Sequence, residues 1–95
     1  MQLDPGFWLN RRVLVTGHTG FKGIWLCRYL HRLGADIIGY ALPPGSSRPF
    51  WAHARLAEHV HDIQGDIRDL ARLKQVIAEF APEVVFHLAA SALVL

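Results

Sequence analysis

The sequence contains little charge, one cysteine and no long apolar run. Lys, Arg, Asp and Glu make up 19% of the 95 residues and hydrophobic residues 52%, which is too apolar for a disordered chain. Because Cys27 is alone, a disulfide within the chain is excluded and a reducing compartment, by default the cytoplasm, is expected. No apolar stretch approaches the roughly 18 residues of a membrane span, and the opening residues lack a signal-peptide pattern. We therefore expect a soluble protein that is not exported and has no membrane partner.

The basic residues are too few and too scattered for a nucleic-acid interface. Ten Lys and Arg stand against eight Asp and Glu, a formal net charge of +2, whereas nucleic-acid binding needs a clustered basic face. The 95 residues fall just below the roughly 100 to 150 of a common domain. The chain can therefore hold one domain at most, and a two-domain enzyme is excluded.

The first half of the sequence reads as strand, helix and strand. A buried strand is predicted over 12–16, because three branched apolar residues follow one another and Gly17 ends the run. A second apolar run predicts a strand over 37–42. Between them, helical spacing predicts a helix over 21–33. Its apolar face would be formed by Gly23, Leu26, Cys27, Leu30 and Leu33.

The second half continues the alternation. A short helix is predicted over 50–60, a weak strand around Ile63, and a clear strand over 83–90 (EVVFHLAA). Asp69 can cap a further helix. The apolar stripe of that helix would consist of Leu70, Leu73, Val76, Ile77 and Phe80.

The resulting order is βαβαβαβ, which is typical of α/β proteins with a parallel sheet covered by helices on both faces. We expect the N-terminal half of a Rossmann-like doubly wound sheet. The last predicted strand has no helix after it, so a truncated domain is expected. Its exposed edge should then favour self-association or a homo-oligomer.

Three glycines, Gly17, Gly20 and Gly23, stand between the first strand and the first helix in a G-x-x-G-x-x-G pattern. Missing side chains there permit a sharp turn, close approach of a ligand to the backbone, and tight packing of the helix on the sheet. The helix N-terminus would point unpaired amides at a pyrophosphate. A dinucleotide is therefore expected; the alternative is that these are ordinary turn and packing glycines.

Four segments resemble the extended short-chain dehydrogenase/reductase superfamily: TGHTGFKG at 16–23, Gly39-Tyr40 with Leu42, GDIRD at 65–69, and FHLAA at 86–90. Within it, they are most similar to the CDP-glucose 4,6-dehydratases. The resemblance implies NAD as cofactor, a nucleotide-sugar substrate, and a lyase reaction that converts CDP-glucose to its 4-keto-6-deoxy derivative. It also implies that residues 1–95 are part of an NAD(P)-binding Rossmann domain without the substrate domain.

The resemblance also assigns cofactor contacts by position. Asp66 and Ile67 would bracket the adenine, with the carboxylate accepting from the exocyclic amine. The pyrophosphate turn would consist of Gly17, Gly20, Phe21 and Gly23, with Thr19 as a hydroxyl donor beside it. The segment near the nicotinamide would consist of Leu88, Ala89 and Ala90.

Several positions depart from what is expected of an NAD site. The end of the second strand commonly carries an acidic residue that binds the ribose hydroxyls, but that place falls near Ala41. NAD and NADP therefore both stay open, with Arg48 the nearest candidate for a 2′-phosphate, and the resemblance favours NAD. Ser91 and Ala92 stand where the family usually has glutamine and proline.

The sequence contains no catalytic residues of the expected kind. The superfamily uses Tyr-x-x-x-Lys, but Tyr29 is followed four residues later by Leu33, and Tyr40 by Pro44. We therefore expect the 95 residues alone to be inactive. Two other functions stay open: another enzyme of the superfamily, such as a nucleotide-sugar epimerase, and a non-catalytic dinucleotide-binding module.

The remaining polar candidates are weaker. His59-x-His61 would place two imidazoles on the same side of an extended segment, but two ligands make a poor metal site, so no metal is expected. His18 could contact phosphate or hydrogen-bond within the loop, and the loop role is favoured. Lys22 could lie near the phosphates or in solvent.

Overall fold

A computed structural model describes residues 5–43, 55 and 58–88 of the chain. A 3-10 helix, Pro5–Trp8, precedes the sheet. The strands are β1 (Arg12–Thr16), β2 (Asp36–Ala41), β3 (Val60–Gln64) and β4 (Val84–His87), and the helices are α1 (Phe21–Arg32) and α2 (Leu70–Phe80). The helix predicted over 50–60 lies largely outside the described residues, and at its predicted end Val60 begins β3 instead.

The four strands form one parallel sheet in the order β3-β2-β1-β4. Thr16 at the end of β1 lies opposite Tyr40 of β2 and His87 of β4, so the carboxyl ends of these strands meet at one edge. The prediction of a Rossmann-like α/β half-fold with a parallel sheet is confirmed. In the described part of the chain, β3 and β4 are the edge strands.

Both faces of the sheet are covered, which explains the continuous apolar run of β1. Val13 and Val15 face α1 and join one core cluster, which also contains Cys27 and Leu30. Leu14 faces the other way and joins a second cluster, completed by Ile38, Tyr40 and Val76. A strand buried on both faces needs apolar residues at successive positions rather than at alternate ones.

The predicted stripe of α2 is only partly correct. Val76 is buried, and Leu73 and Phe80 pack against the same cluster, but Leu70 and Ile77 are 53% and 41% exposed. Successive helical residues are rotated by about 100°, which places Ile77 and Leu70 roughly 100° to 120° from Val76 and beyond Leu73 and Phe80, at the margin of the stripe. Among the described residues, no helix is long and apolar enough to cross a membrane.

Candidate functional site

A cavity of about 280 Å³ opens at the carboxyl edge of the sheet. Its walls come from the loops after β1, β2 and β3 and from the residue after β4, because parallel strands bring these loops together. Six of the predicted cofactor residues line it, namely Gly17, Thr19, Gly20, Asp66, Ile67 and Leu88. The other lining residues are Ala41, Leu42, Pro43 and Gly65.

Two further predicted residues, Phe21 and Gly23, are not among those that line this cavity. Gly23 is buried within α1, and Phe21 begins α1 with its ring half exposed. Ala89 and Ala90 lie outside the described residues. The same is true of Arg48 and of Ser91 and Ala92, the two positions that differ from the family pattern.

The turn after β1 is bonded to its neighbours through the backbone. Gly17 has a φ of 78°, in the left-handed region that side chains other than glycine rarely adopt. Its N–H donates to the carbonyl of Tyr40 at 2.9 Å, and its carbonyl accepts from the N–H of Gly20 at 3.2 Å. The turn therefore closes on itself while it is held to the end of β2.

Gly23 and Gly20 lack side chains for different reasons. A Cβ on Gly23 would lie 2.5 Å from Cα of His18, so this position must be glycine if α1 is to pack on the turn. Gly20 has an extended backbone, and its Cβ would meet only the carbonyl of Gly17, at an ordinary 3.5 Å. The fold itself therefore tolerates a side chain at position 20, where it would stand at the wall of the cavity.

The electrostatics of this wall suit an anion. Helix α1 begins directly after Gly20, which has no side chain to cap it, and its first turn contains no acidic residue. The positive end of the helix dipole thus lies beside the cavity without a compensating carboxylate from that turn. Lys22 is exposed in the same turn.

His18 is fully buried, and it hydrogen-bonds within the protein. Its Nε2 lies 2.7 Å from Oδ1 of Asp62 on β3. Burial lowers the pKa of His18, although the hydrogen bond and charge of Asp62 oppose this effect. Of the two roles left open for His18, its burial favours a hydrogen bond within the protein over contact with a phosphate, but the partner, Asp62, lies on β3 rather than in the loop. Thr19, next in the turn, donates its hydroxyl to the carbonyl of Leu42 at 3.2 Å.

The opposite wall is built around Asp66. Arg68 donates from its backbone N–H at 2.9 Å and from its guanidinium Nη2 at 2.7 Å to the carboxylate of Asp66. These hydrogen bonds lower the pKa of Asp66 to about 2, so the carboxylate is charged at neutral pH. Ile67 is buried beside it. The hydroxyl of Tyr40 donates to the backbone carbonyl of Asp66 at 2.9 Å.

Three of these polar contacts were not foreseen from the sequence. They involve Asp62, Arg68 and the Tyr40 hydroxyl, although two of these residues lie in segments that carried the family resemblance. A fourth is the 2.7 Å hydrogen bond between Oγ1 of Thr16 and Nδ1 of His87, which joins the ends of β1 and β4 near the cavity. For Thr16 and His87 the signal would have been a polar residue at the end of an otherwise apolar strand, whereas Asp62 lies in the middle of β3 and Arg68 lies after it, where the sequence has no such signal.

The expectation that His59 and His61 share one side is wrong. His59 precedes β3 and stacks on His31 of α1 with ring centroids 4.1 Å apart. His61 packs instead against Phe80 of α2 and bonds Asp36. Side chains at alternate positions share one face only within a strand, and His59 lies in the turn before β3. Within the described residues, no three His, Cys, Asp or Glu side chains are grouped so as to hold a metal.

Comparison with known proteins agrees with this arrangement. Residues 13–95 match the NAD dependent epimerase/dehydratase family. The chain belongs to this family, and the predicted resemblance to the extended short-chain dehydrogenase/reductase superfamily is confirmed.

Individual relatives match only part of their own length. A CDP-glucose 4,6-dehydratase from Salmonella typhimurium is 48% identical over 92 residues, which is 97% of this chain and 26% of that protein. An epimerase structure from Methanothermobacter thermautotrophicus has a TM-score of 0.73 at 32% identity, over 92% of this chain and 25% of its own. The structure of UDP-glucose 4-epimerase from Brucella ovis in complex with NAD has a TM-score of 0.69 at 32% identity, over 88% of this chain and 24% of its own. The chain thus spans about a quarter of the length of these relatives.

Proposed function

We propose that this chain is the cofactor-binding portion of an NAD-dependent nucleotide-sugar 4,6-dehydratase that converts CDP-glucose to CDP-4-keto-6-deoxyglucose. The observation that carries the cofactor assignment is the cavity at the carboxyl edge of the sheet, with the open wall at Gly20. The choice of reaction is supported by the 48% identity to a CDP-glucose 4,6-dehydratase, compared with 39% to a UDP-glucose 4-epimerase from Mycolicibacterium smegmatis.

The residues of the cavity fit the parts of a dinucleotide. The turn from Gly17 to Gly20 and the start of α1 would hold the pyrophosphate, because bare backbone and the helix dipole are combined there. Asp66 and Ile67 would hold the adenine, and Leu88, with Ala89 and Ala90 beyond it, would lie toward the nicotinamide. Held by these residues, NAD would supply reversible hydride acceptance, the chemistry that a dehydration without net oxidation of the sugar requires.

The charge of the cavity favours NAD over NADP. The end of β2 contributes Ala41, Leu42 and Pro43, none of which carries a cation for a 2′-phosphate. Asp66 is the one charged side chain among the described lining residues, and Arg68 balances its charge, so no lining side chain supplies an unpaired cation for a 2′-phosphate. Weaker binding of NADP than of NAD in calorimetric titration is therefore the expected result, and tighter binding of NADP would overturn the assignment.

The chemistry on the sugar would need residues outside this chain. Tyr40 is buried and its hydroxyl is bonded to the carbonyl of Asp66, while Tyr29 lies exposed on α1, so neither is placed as a catalytic acid or base. The purified 95 residues should bind NAD but form no 4-keto-6-deoxy product from CDP-glucose. Measurable turnover by the chain alone would contradict this proposal.

A graded series at Gly20 tests the cofactor site. Gly20→Ala should weaken NAD binding moderately and Gly20→Val by roughly tenfold or more, about 1.4 kcal/mol, because the side chain would occupy space meant for the ligand. The free energy of unfolding should fall by no more than about 1 kcal/mol, the cost of replacing glycine at a helix N-cap, because a Cβ at position 20 meets no atom closer than 3.5 Å. Gly23→Ala is the matched control, which should lower stability itself. Unchanged NAD affinity in Gly20→Val would overturn the proposed cofactor site.

Self-association is the proposed assembly. In the described sheet, β4 is hydrogen-bonded to β1 on one side, and Val85 at its middle is largely exposed. Such an edge can pair with a second strand. Static light scattering should show a mass that rises with concentration, and a constant monomer mass would count against this assembly.

A further inference from the structure

Tyr40 contacts both walls of the cavity from beneath. Its side chain is 1% exposed, and its hydroxyl donates to the backbone carbonyl of Asp66 at 2.9 Å. Its own backbone carbonyl accepts the N–H of Gly17 at 2.9 Å. One residue at the end of β2 therefore fixes the glycine turn through its main chain and the Asp66 segment through its side chain.

The space for this contact depends on Gly65. A Cβ at position 65 would lie 2.5 Å from the hydroxyl oxygen of Tyr40, far inside van der Waals contact. The absence of that side chain lets the segment after β3 lie directly on the phenol. Gly65 also donates its N–H to the carbonyl of Ala41 at 2.9 Å, which brings the two strand ends together.

The carbonyl of Asp66 has a second donor in the N–H of Asp69 at 2.9 Å. Asp69 is the N-cap of α2, so the two hydrogen bonds tie Asp66 both to the sheet and to the helix that follows. With the carbonyl held from two directions, the peptide plane before Ile67 has a fixed orientation. The Asp66 carboxylate and the Ile67 side chain are thereby directed at the cavity that they line.

The phenol of Tyr40 stays protonated and can therefore always donate its hydrogen bond. Burial, followed by the negative charge of Asp69, raises the pKa of Tyr40. The phenol therefore keeps its proton throughout the neutral range and donates to the Asp66 carbonyl, which can only accept.

We propose that Tyr40 is a positioning residue for adenine recognition, which holds Asp66 and Ile67 in place through the hydrogen bond from its hydroxyl to the Asp66 carbonyl. This inference rests on the proposed cofactor function. Tyr40 itself does not line the cavity, so its effect on the ligand passes through Asp66, whose carboxylate would accept from the exocyclic amine of adenine.

The test compares NAD with nicotinamide hypoxanthine dinucleotide, which lacks that amine, by calorimetric titration of the full chain. The wild type should prefer NAD. In Tyr40→Phe, NAD affinity should fall by roughly threefold to tenfold, the range expected for one lost hydrogen bond, while affinity for the hypoxanthine analogue stays within about twofold. A general loss of stability would weaken the binding of both dinucleotides alike. A smaller difference between their affinities is therefore specific to the positioning of Asp66.

Tyr29→Phe is the matched control, because it removes the same hydroxyl from a tyrosine that is 62% exposed on α1, and it should leave both affinities unchanged. Gly65→Ala places a methyl group against the phenol of Tyr40. It should therefore reduce the preference for NAD over the hypoxanthine analogue, as Tyr40→Phe does. If the wild type binds neither dinucleotide, the proposed function fails. If it binds NAD but shows no preference, or if Tyr40→Phe keeps the full preference, the positioning role is overturned while the cofactor site stands.

Discussion

Nε2 of His18 lies 2.7 Å from Oδ1 of Asp62, so the turn after β1 is bonded to a strand two places away in the sheet. The imidazole crosses β2 at Gly39, which pairs with Val15 on one side and with Asp62 on the other. A Cβ on Gly39 would lie 2.6 Å from Nε2 of His18. The missing side chain of Gly39 therefore opens the path along which His18 reaches Asp62.

This buried pair predicts an acid-sensitive fold. The pKa of His18 is lowered from 6.5 in the folded chain, first by burial. The unfolded chain then binds more protons just below pH 6.5, so stability is full above that pH and falls as the pH drops toward the folded pKa. Urea unfolding should show a decreasing free energy from pH 7 to pH 5.

A His18→Gln variant should have a shallower slope in that window, because its side chain does not titrate. The other five histidines are retained in the variant, so the difference between the two slopes reports His18. Asp66 and Glu83 have lowered pKa values in the folded chain. They change the free energy of unfolding only as the pH falls toward their unfolded pKa values of about 4, which is below the window from pH 7 to pH 5. Equal slopes in the two proteins would show that His18 is not the group responsible.

A double-mutant cycle tests the crossing at Gly39. Gly39→Ala alone should destabilise the fold by about 1 to 3 kcal/mol, as overpacking of a filled core does. In a His18→Ala background the methyl group gains room, so the same change should cost far less, with a coupling of about 1 kcal/mol or more. Free energies of unfolding in urea give the four corners of the cycle. Additive effects would mean that the imidazole does not occupy the space above Gly39.

The elements of the fold were predictable where burial leaves a strong pattern. The strand at 12–16 is buried on both faces and so reads as a continuous apolar run. Strand β3 gave only a weak signal, because Val60 is its one buried residue and charged and polar residues surround Ile63. The margin of the α2 stripe was misjudged because apolar spacing alone does not show how far a helix is covered.

The site was predictable in its parts but not in its connections. The glycine turn and the GDIRD segment each have a local pattern, and the parallel sheet brings them together. The contacts of His18 with Asp62 and of Tyr40 with Asp66 span 44 and 26 residues and depend on the strand order β3-β2-β1. No local pattern specifies that order, so these partners emerge only from the fold.

Helix α2 should depend on its N-cap. The carboxylate of Asp69 accepts the backbone N–H of Arg72 at 3.1 Å, which satisfies one of the amides left unpaired at a helix start. Asp69→Ala should therefore lower the free energy of unfolding by about 1 kcal/mol. Asp69→Asn is the matched control, since asparagine caps nearly as well as aspartate. A loss in Asp69→Asn equal to that in Asp69→Ala would assign the effect to charge rather than to capping.

Cys27 should report the opening of the core. It lies fully buried on the inner face of α1, and burial raises the pKa of its thiol to about 12. Because only the thiolate reacts, Ellman's reagent at pH 8 should leave the native chain unlabelled and label it fully in denaturing urea. As the chain has a single cysteine, the initial labelling rate, divided by the rate in the fully unfolded chain, measures the unfolded fraction, and Cys27→Ala supplies the blank. The labelling curve should coincide with the circular dichroism transition; stoichiometric labelling of the native chain, at the rate of the denatured one, would show that α1 does not cover this side of the sheet.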